Sequence, residues 1–315
     1  MNPRQVPILL LVYNRVDTLH QVLAVLREVR PSLLFVSGDG PKPTEEDSAR
    51  VAAVRRFLQQ SVDWPCEVYF RFLPENHGCR LGVVSGINWF FSQVTEGIIL
   101  EDDTLPHPDF FAYAAEMLER YRDEPRVGSI TGLQVLPGWK SAYAWRFIRI
   151  PLIWGWATWR RAWTGYDPSV YRWPQLRQEG LLERALADNL RLVRPIKKGL
   201  DLIHRGQLDT WDYQWVLQLL ERGQLTVVPA RNLIRNLGVA HPLALHTRKR
   251  RPWQHLPLEG WEPRPAAPAV EIDLAYERAL AFYFASPPFW LQFWYRLGGD
   301  YPYRSFPVLR GRTGK

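Results

Sequence analysis

Apolar segments and helical stripes alternate along the first part of the chain, and this alternation restricts the fold more than any other feature. The segment VPILLLVY at residues 6–13 is apolar throughout, as in a strand that is buried on both faces of a sheet. Further strand-like segments follow at 33–40, 66–73, 97–100 and 127–132, and stretches with apolar residues at helical spacing separate them. This order predicts an α/β fold with a mostly parallel sheet and helices on both faces.

Polar residues follow the predicted strands. Asn14 and Arg15 come after the first strand, Asp39 after the second, residues 76–80 after the third and residues 101–103 after the fourth. The carboxyl ends of parallel strands meet at one edge of a sheet, and ligands of such sheets bind at that edge. The sequence therefore predicts one binding site at the carboxyl edge.

Three acids, Glu101, Asp102 and Asp103, stand directly after the apolar segment 97–100. Carboxylates repel one another and resist burial, so a positive group is expected beside them. A Mg²⁺ or Mn²⁺ ion held by one or two carboxylates and by diphosphate oxygens is one such group. The alternative is a solvated turn in which Asp103 caps the next helix.

Four segments resemble the GT-A nucleotide-diphospho-sugar transferases, in particular the bacterial family 2-like glycosyltransferases and N-acetylglucosaminyltransferase I. They are YNR, SGDGP, ENHGCRLGVVSGINWFF and GIILEDDTLPHPDFF. The resemblance implies a GT-A domain over residues 1–250, with a nucleotide-sugar-binding half at 1–132 and an acceptor half at 133–250. Residues 251–315 are then a Pro- and Trp-rich extension that packs on this domain or on a membrane.

The resemblance also implies roles for the residues at the strand ends. A divalent ion, Mn²⁺ or Mg²⁺, would stabilise the charge that grows on the departing diphosphate, and Asp103 would be its direct ligand. Asp39 is equally well explained as a turn former between two glycines. The residues implied in binding the nucleotide-sugar are Val12, Asn14, Arg15, Asp39, Arg80 and Asp102.

The second half carries the implied acceptor chemistry. The segment DTWDYQW at 209–215 resembles the tryptophan-aspartate motif of the family, so Asp212 is the expected catalytic base and Asp209 is the reserve. Trp211 and Trp156 are expected to shape the sugar or acceptor pocket, although tryptophans this dense equally fit a core. His246 would complete the metal site by the same resemblance, and a structural histidine is the alternative.

Charge and cysteine content suggest the setting. The formal net charge of +8 favours anionic partners such as nucleotides or a membrane surface. The two cysteines, Cys66 and Cys79, lack metal-ligand spacing and are too few for a disulfide framework, which favours a reducing cytoplasm. No stretch of about 18 uninterrupted apolar residues is present. We expect a cytoplasmic location, extending to the inner face of the cell membrane through a peripheral contact of the aromatic segment 282–297.

These observations predict a metal-dependent, inverting glycosyltransferase. It would move a sugar from a nucleotide-diphospho-sugar donor to a glycan, a lipid-linked acceptor or another hydroxyl, without nucleic acid as a partner. One alternative is a nucleotidyltransferase of related sheet architecture, which would favour a glycine-rich basic loop after the first strand. The segment YNRVDTLH lacks such a loop. Another is a non-catalytic basic protein that binds membrane or nucleic acid, which leaves the acids unexplained.

Overall fold

A computed structural model describes residues 1–136, 139–239, 241–244 and 256–285, with side chains described as far as Phe282. Ten strands and ten α-helices lie in these ranges. The strands are β1 Ile8–Val12, β2 Leu33–Gly38, β3 Glu67–Phe72, β4 Glu96–Glu101, β5 Thr104–Pro106, β6 Val127–Thr131, β7 Trp145–Ile148, β8 Trp156–Trp159, β9 Leu225–Pro229 and β10 Ile234–Asn236. The helices are α1 Val16–Val29, α2 Glu45–Ser61, α3 Gly78–Gln93, α4 Asp109–Arg120, α5 Arg160–Trp163, α6 Trp173–Gln178, α7 Leu181–Ala185, α8 Val193–His204, α9 Asp212–Glu221 and α10 Leu274–Ala285.

Eight of these strands form one central sheet in the order β3-β2-β1-β4-β8-β6-β9-β7. β1 pairs in parallel with β2 and β4, and β2 pairs in parallel with β3. β8 and β7 run against their neighbours, whereas β6 and β9 are parallel to each other. The sheet is therefore mostly parallel and carries helices around it, which confirms the α/β prediction. β5 and β10 form a separate antiparallel pair.

The strand order creates a switch point beside β1. The chain proceeds from β1 outward to β2 and β3, and then returns to β4 on the other side of β1. The connections that leave β1 and β4 therefore diverge, and a crevice opens at their carboxyl ends. This is the edge at which the sequence places its polar residues.

The apolar character of β1 follows from its position. Ile8, Leu10 and Val12 belong to the core on one face of the sheet, while Leu9 and Leu11 belong to the core on the other face. Successive side chains of a strand point to opposite faces, so a strand covered on both sides must be apolar at every position.

The part of the C-terminal segment that the structure describes packs on the sheet. Ile272 forms a bridge with Phe147 of β7. Glu277 of α10 is fully buried and accepts hydrogen bonds from the backbone N–H of Arg149 and from its guanidinium. A buried carboxylate needs such a partner, and this pair fixes α10 against β7.

Candidate active site

A cleft of about 280 Å³ opens at the carboxyl ends of β1, β2 and β4. Its lining includes Val12, Arg15, Asp39, Asp102 and Asp209. The first four of these are residues that the sequence places at the site. The N-terminus of α3 closes the cleft on one side. The fold therefore brings together residues that are separated by up to about 200 positions in the chain.

Arg15 is the positive group beside the acids. Its Nη2 lies 2.5 Å from Asp102 Oδ1, and its Nη1 lies 2.7 Å from Asp103 Oδ2. Asp102 Oδ2 also accepts the backbone N–H of Tyr13 at 3.1 Å. Burial disfavours the charged form of Arg15, but the two carboxylates outweigh it, so the pKa of Arg15 is raised. The guanidinium thus bridges both aspartates in a fork that suits carboxylate geometry.

Asp103 lies beside the cleft, next to the lining residue Arg15, and is not itself part of the lining. β4 ends at Glu101 and β5 begins at Thr104, so Asp102 and Asp103 lie in a turn. The strand alternation that would put Glu101 and Asp103 on one face does not apply there. Oδ1 of Asp103 is buried and makes no hydrogen bond within the described residues. Gly238 covers the same carboxylate so closely that a Cβ at this position would collide with Oδ2.

The acids that do face the cleft are Glu101 and Asp102. Burial raises the pKa of Glu101 well above its ordinary value, and the charges of Asp103 and Asp102 add to this effect. With all three acids ionised, one guanidinium would leave an excess of negative charge, and the raised pKa of Glu101 means that this acid holds its proton until a further cation binds. The described residues contain no group of three His, Cys, Asp or Glu side chains that could hold a metal ion. A cation held by one or two carboxylates together with phosphate oxygens of a ligand does fit this charge.

Asp39 organises the loop that precedes α3. Its carboxylate accepts the backbone N–H groups of His77 and Gly78 at 2.9 and 3.0 Å, and the amide of Asn76 at 3.0 Å. It also accepts the N–H of Gly40 at 2.9 Å, which is turn chemistry. Asp39 therefore lines the cleft with a carboxylate that already has several partners.

Asn14 lies behind the cleft lining, where Asp47 holds it. Its Nδ2 donates to Asp47 Oδ1 at 2.6 Å, and the hydroxyl of Tyr13 donates to Asp47 Oδ2 at 2.5 Å. Burial works against ionisation of Asp47, but hydrogen bonds from Tyr13, Lys42 and Asn14 outweigh it, and the pKa of Asp47 is lowered. The sequence analysis missed Asp47, because a third acid in the first turn of α2 carries no signal of a distant partner.

Asp209 occupies the N-terminus of α3. Its carboxylate accepts the backbone N–H of Cys79 at 3.0 Å and that of Arg80 at 3.4 Å. Arg80 Nε lies 3.8 Å from the same carboxylate. α3 begins at Gly78, and Asp209 and Asp39 already satisfy its first amides. The helix end that would attract a phosphate thus carries carboxylates in this conformation.

Asp212 is the first residue of α9 and lies near the acids at the end of β4. Its Oδ1 accepts the hydroxyl of Thr210 at 2.5 Å. Its negative charge contributes to the raised pKa of Glu101 and to that of Cys79, after burial and nearer charges. The structure therefore brings Asp212 into electrostatic reach of the cleft, although its own side chain has few partners.

Trp156 and Trp211 lie in the core. Their rings are only 1% and 3% exposed and stack on each other with centroids 5.5 Å apart. Trp163 and Trp215 pack against the Trp156 ring, with centroids 6.3 and 5.7 Å from it. Gly155, at φ +59°, packs against Ile234. In this conformation the tryptophans support the wall of the cleft from behind, and neither Trp156 nor Trp211 lines it.

Two further expectations fall on the end of the chain. His246 and the basic residues 248–251 lie outside the described residues, as does most of the aromatic segment 282–297. Within the described part, none of the helices has the length and apolar character needed to cross a membrane.

No family model and no curated protein sequence matches the chain. One similar solved structure is a mannose-1-phosphate geranyltransferase from Thermus thermophilus, with 13% identity and a TM-score of 0.36, covering 71% of this chain and 73% of that chain. Another is a UDP-glucose pyrophosphorylase complexed with UDP-glucose, with 8% identity and a TM-score of 0.37, covering 71% and 90%. At these identities and scores the similarity carries no argument about activity.

Proposed function

We propose that this protein is a transferase that acts on a nucleoside-diphosphate sugar held in the cleft. The observation that carries the proposal is the position of the acids Glu101 and Asp102. They stand at the switch point beside β1, where three acids share one guanidinium, and a second pair of acids, Asp209 and Asp212, comes from the other half of the chain. Switch points of this kind bind ligands at the carboxyl ends of the strands.

The donor contacts follow from the lining. Val12 offers an apolar edge and Asp39 a carboxylate to the nucleoside, as the resemblance implies. Arg15 and the side chain of Lys42 supply positive charge for the diphosphate. A bound Mn²⁺ or Mg²⁺ would be held by Glu101 or Asp102 together with phosphate oxygens, and would stabilise the negative charge of the leaving diphosphate. Asp103 is then a partner of Arg15 that keeps the guanidinium in place.

The acceptor step in this proposal belongs to Asp212. An inverting transfer needs a carboxylate that removes the proton of the attacking hydroxyl. Asp209 is occupied by the backbone amides of α3, whereas Asp212 has only the Thr210 hydroxyl as a hydrogen-bond partner among the described residues. Asp212 is therefore the better base of the two. The acceptor is a glycan, a lipid-linked glycan or another hydroxyl compound.

Nucleotidyl transfer is the second candidate. Arg15 and Lys42 both line the cleft, so a phosphate under attack would meet two cations, of which Arg15 is shared with Asp102 and Asp103. A UDP-glucose pyrophosphorylase, which is of this class, is among the similar solved structures named above, but a TM-score of 0.37 carries no argument. Nucleotidyl transfer, however, leaves Asp212 without a role, so we place glycosyl transfer first.

A two-part experiment tests the proposal. A thermal-shift panel of UDP-, GDP-, CMP- and dTDP-sugars, each with and without MnCl₂, identifies the donor, and we expect one nucleotide to stabilise the protein more when the metal is present. Product analysis with that donor then separates the two chemistries. Release of nucleoside diphosphate supports glycosyl transfer, whereas formation of labelled nucleoside triphosphate from the donor and labelled pyrophosphate, with release of sugar 1-phosphate, supports nucleotidyl transfer. Failure of every nucleotide to stabilise the protein would contradict both.

A further inference from the structure

We propose that α8 forms a docking surface for an anionic phospholipid membrane. A shallow groove of about 590 Å³ runs along the exposed side of this helix, and we call it the basic groove. Arg194, Lys197, Lys198 and Arg205 line it, together with apolar groups that include Leu190 and Leu202. The opposite side of α8 is buried in the second half of the domain, so the groove faces solvent.

The positive charge of the basic groove is largely unpaired. Arg194, Lys198 and Arg205 are exposed and make no ion pair within the described residues. The one acid in the lining, Asp201, is already engaged, because Arg177 and the indole N–H of Trp173 both donate to it at 3.0 and 2.8 Å. A surface with three free cations and a satisfied carboxylate is complementary to a negatively charged partner.

The apolar part of the groove favours a lipid surface over other anions. Leu190 lies next to the cations and is 60% exposed, which is high for a large aliphatic side chain. A leucine gains by entering the acyl boundary of a bilayer, while lysine and arginine side chains reach the headgroups with their charged ends. A nucleic-acid surface would instead be expected to present aromatic rings for base stacking.

The chain beyond α10 starts from this same surface. The guanidinium of Arg191, next to Leu190, lies 5.5 Å from the centroid of the Phe282 ring. α10 ends at Ala285, so 30 residues follow from a point near the basic groove. Their sequence includes aromatic residues of the kinds that favour a membrane interface: Phe289, Trp290, Phe293, Trp294 and Tyr295.

Docking through α8 would also bring the candidate base close to the membrane. Gly199 of α8 packs so tightly against the Tyr213 ring that a Cβ would collide with it, and Tyr213 follows Asp212 directly. One helix diameter, about 10 Å, therefore separates the membrane-facing side of α8 from the start of α9. This last point rests on the proposed function, because it makes a lipid-linked hydroxyl the preferred acceptor. The docking itself does not depend on it.

Vesicle flotation of the full chain tests the docking surface. Vesicles of phosphatidylcholine with about one-third phosphatidylglycerol are compared with pure phosphatidylcholine, at low and at high salt. We expect flotation only with the anionic vesicles and a strong loss at high salt, because surface charge is screened over about 10 Å at 0.1 M. Each basic residue near such a surface contributes about 1 kcal/mol, so the triple variant Arg194→Glu/Lys198→Glu/Arg205→Glu should lose on the order of 100-fold in affinity.

A matched control separates this surface from net charge. Arg4, Arg56 and Lys140 are exposed basic residues outside the groove, and Arg4→Glu/Arg56→Glu/Lys140→Glu removes the same six charges from the net +8. We expect this control to float nearly as well as the native chain, and Leu190→Ser to lose several-fold. Equal loss in both triple variants, native-like flotation of the groove variant, or no flotation of the native chain would each overturn the proposal.

Discussion

Acids from two parts of the chain meet at the cleft, and they are held in different ways. Asp102 and Asp103, at the end of β4, are buried, and a single guanidinium bridges them. Asp209 and Asp212, at the start of α9, are more accessible and make hydrogen bonds to backbone amides or to a hydroxyl. Burial makes a carboxylate depend on its partner, whereas an accessible carboxylate keeps its freedom to exchange a proton.

This difference changes how an acid cluster after a strand should be interpreted. The conspicuous acids, Asp102 and Asp103, serve first to hold Arg15, and Arg15 serves to make their burial tolerable. The less conspicuous Asp212 is the group with few competing partners. The predictions below test that division of roles, starting with the change of largest expected effect.

Removing Arg15 should be the most damaging single change. Arg15→Ala leaves two carboxylates buried without their partner, and breaking a buried ion pair in this way typically costs about 3–5 kcal/mol. We expect this loss in the free energy of unfolding measured by urea denaturation. Arg27→Ala is the matched control, because it removes an arginine–aspartate pair that is exposed on both sides. If the two variants lose equal stability, the buried bridge is not the support that we infer.

The candidate base can be tested by a conservative change. Asp212→Asn should lower transfer by at least about 100-fold, since a positioned general base contributes roughly 10²–10⁴, while binding of the donor stays close to native. Asp209→Asn serves as the comparison. It should weaken the N-terminal cap of α3 by about 1 kcal/mol and lower transfer much less. Steady-state kinetics and donor titration measure both, and a native transfer rate in Asp212→Asn would exclude it as the base.

The cleft-facing acid Glu101 should govern the metal response. Glu101→Gln removes a carboxyl group beside the cleft that would lose its proton when a cation binds. We expect the Mn²⁺-dependent gain in donor affinity to fall by roughly 10–100-fold. A loss of this size is typical even when the residue that is changed only supports a metal ligand. Glu28→Gln, at an exposed position on α1, is the control. Titration calorimetry with and without Mn²⁺ gives the comparison, and an unchanged metal response would remove Glu101 from the site.

The smallest expected effect concerns the contact between Gly78, at the start of α3, and Asp209. Gly78 has φ +79°, and a Cβ there would lie 2.8 Å from Asp209 Oδ2. Gly206 has a similar φ of +70° but nothing within 4 Å of such a Cβ. Both alanine variants incur the backbone cost of about 1 kcal/mol, and Gly78→Ala should lose about 1 kcal/mol more because it pushes Asp209 away. Equal melting temperatures of Gly78→Ala and Gly206→Ala would show that the contact between residue 78 and Asp209 does not contribute to stability.

The sequence predicts the central part of the fold because the strands are buried on both faces. Continuous apolar segments such as 6–13 leave few other structures open, and their order determines the parallel sheet. The polar residues after β1, β2 and β4 could be placed at one edge for the same reason. The metal was suggested by the acid cluster and by the resemblance, and the base by the resemblance alone; both assignments stay predictions.

Contacts between distant parts of the chain could not be predicted. Arg15 meets Asp103 across 88 positions, and Asp209 meets Cys79 across 130. No local pattern records such a pairing. The location of the tryptophans could not be predicted for another reason. A dense aromatic segment is equally suited to a core and to a ligand pocket, and only the observed packing of Trp156 on Trp211 distinguishes the two.

The location of the donor site is the central claim, and hydrogen–deuterium exchange of the full chain measures it most directly. With the nucleotide-sugar that stabilises the protein, we predict slower exchange in the peptides that carry residues 11–15, 37–42 and 76–84, which surround the cleft. Residues 193–205 of the basic groove should exchange as before. Protection confined to that groove, with the three cleft segments unchanged, would contradict the account.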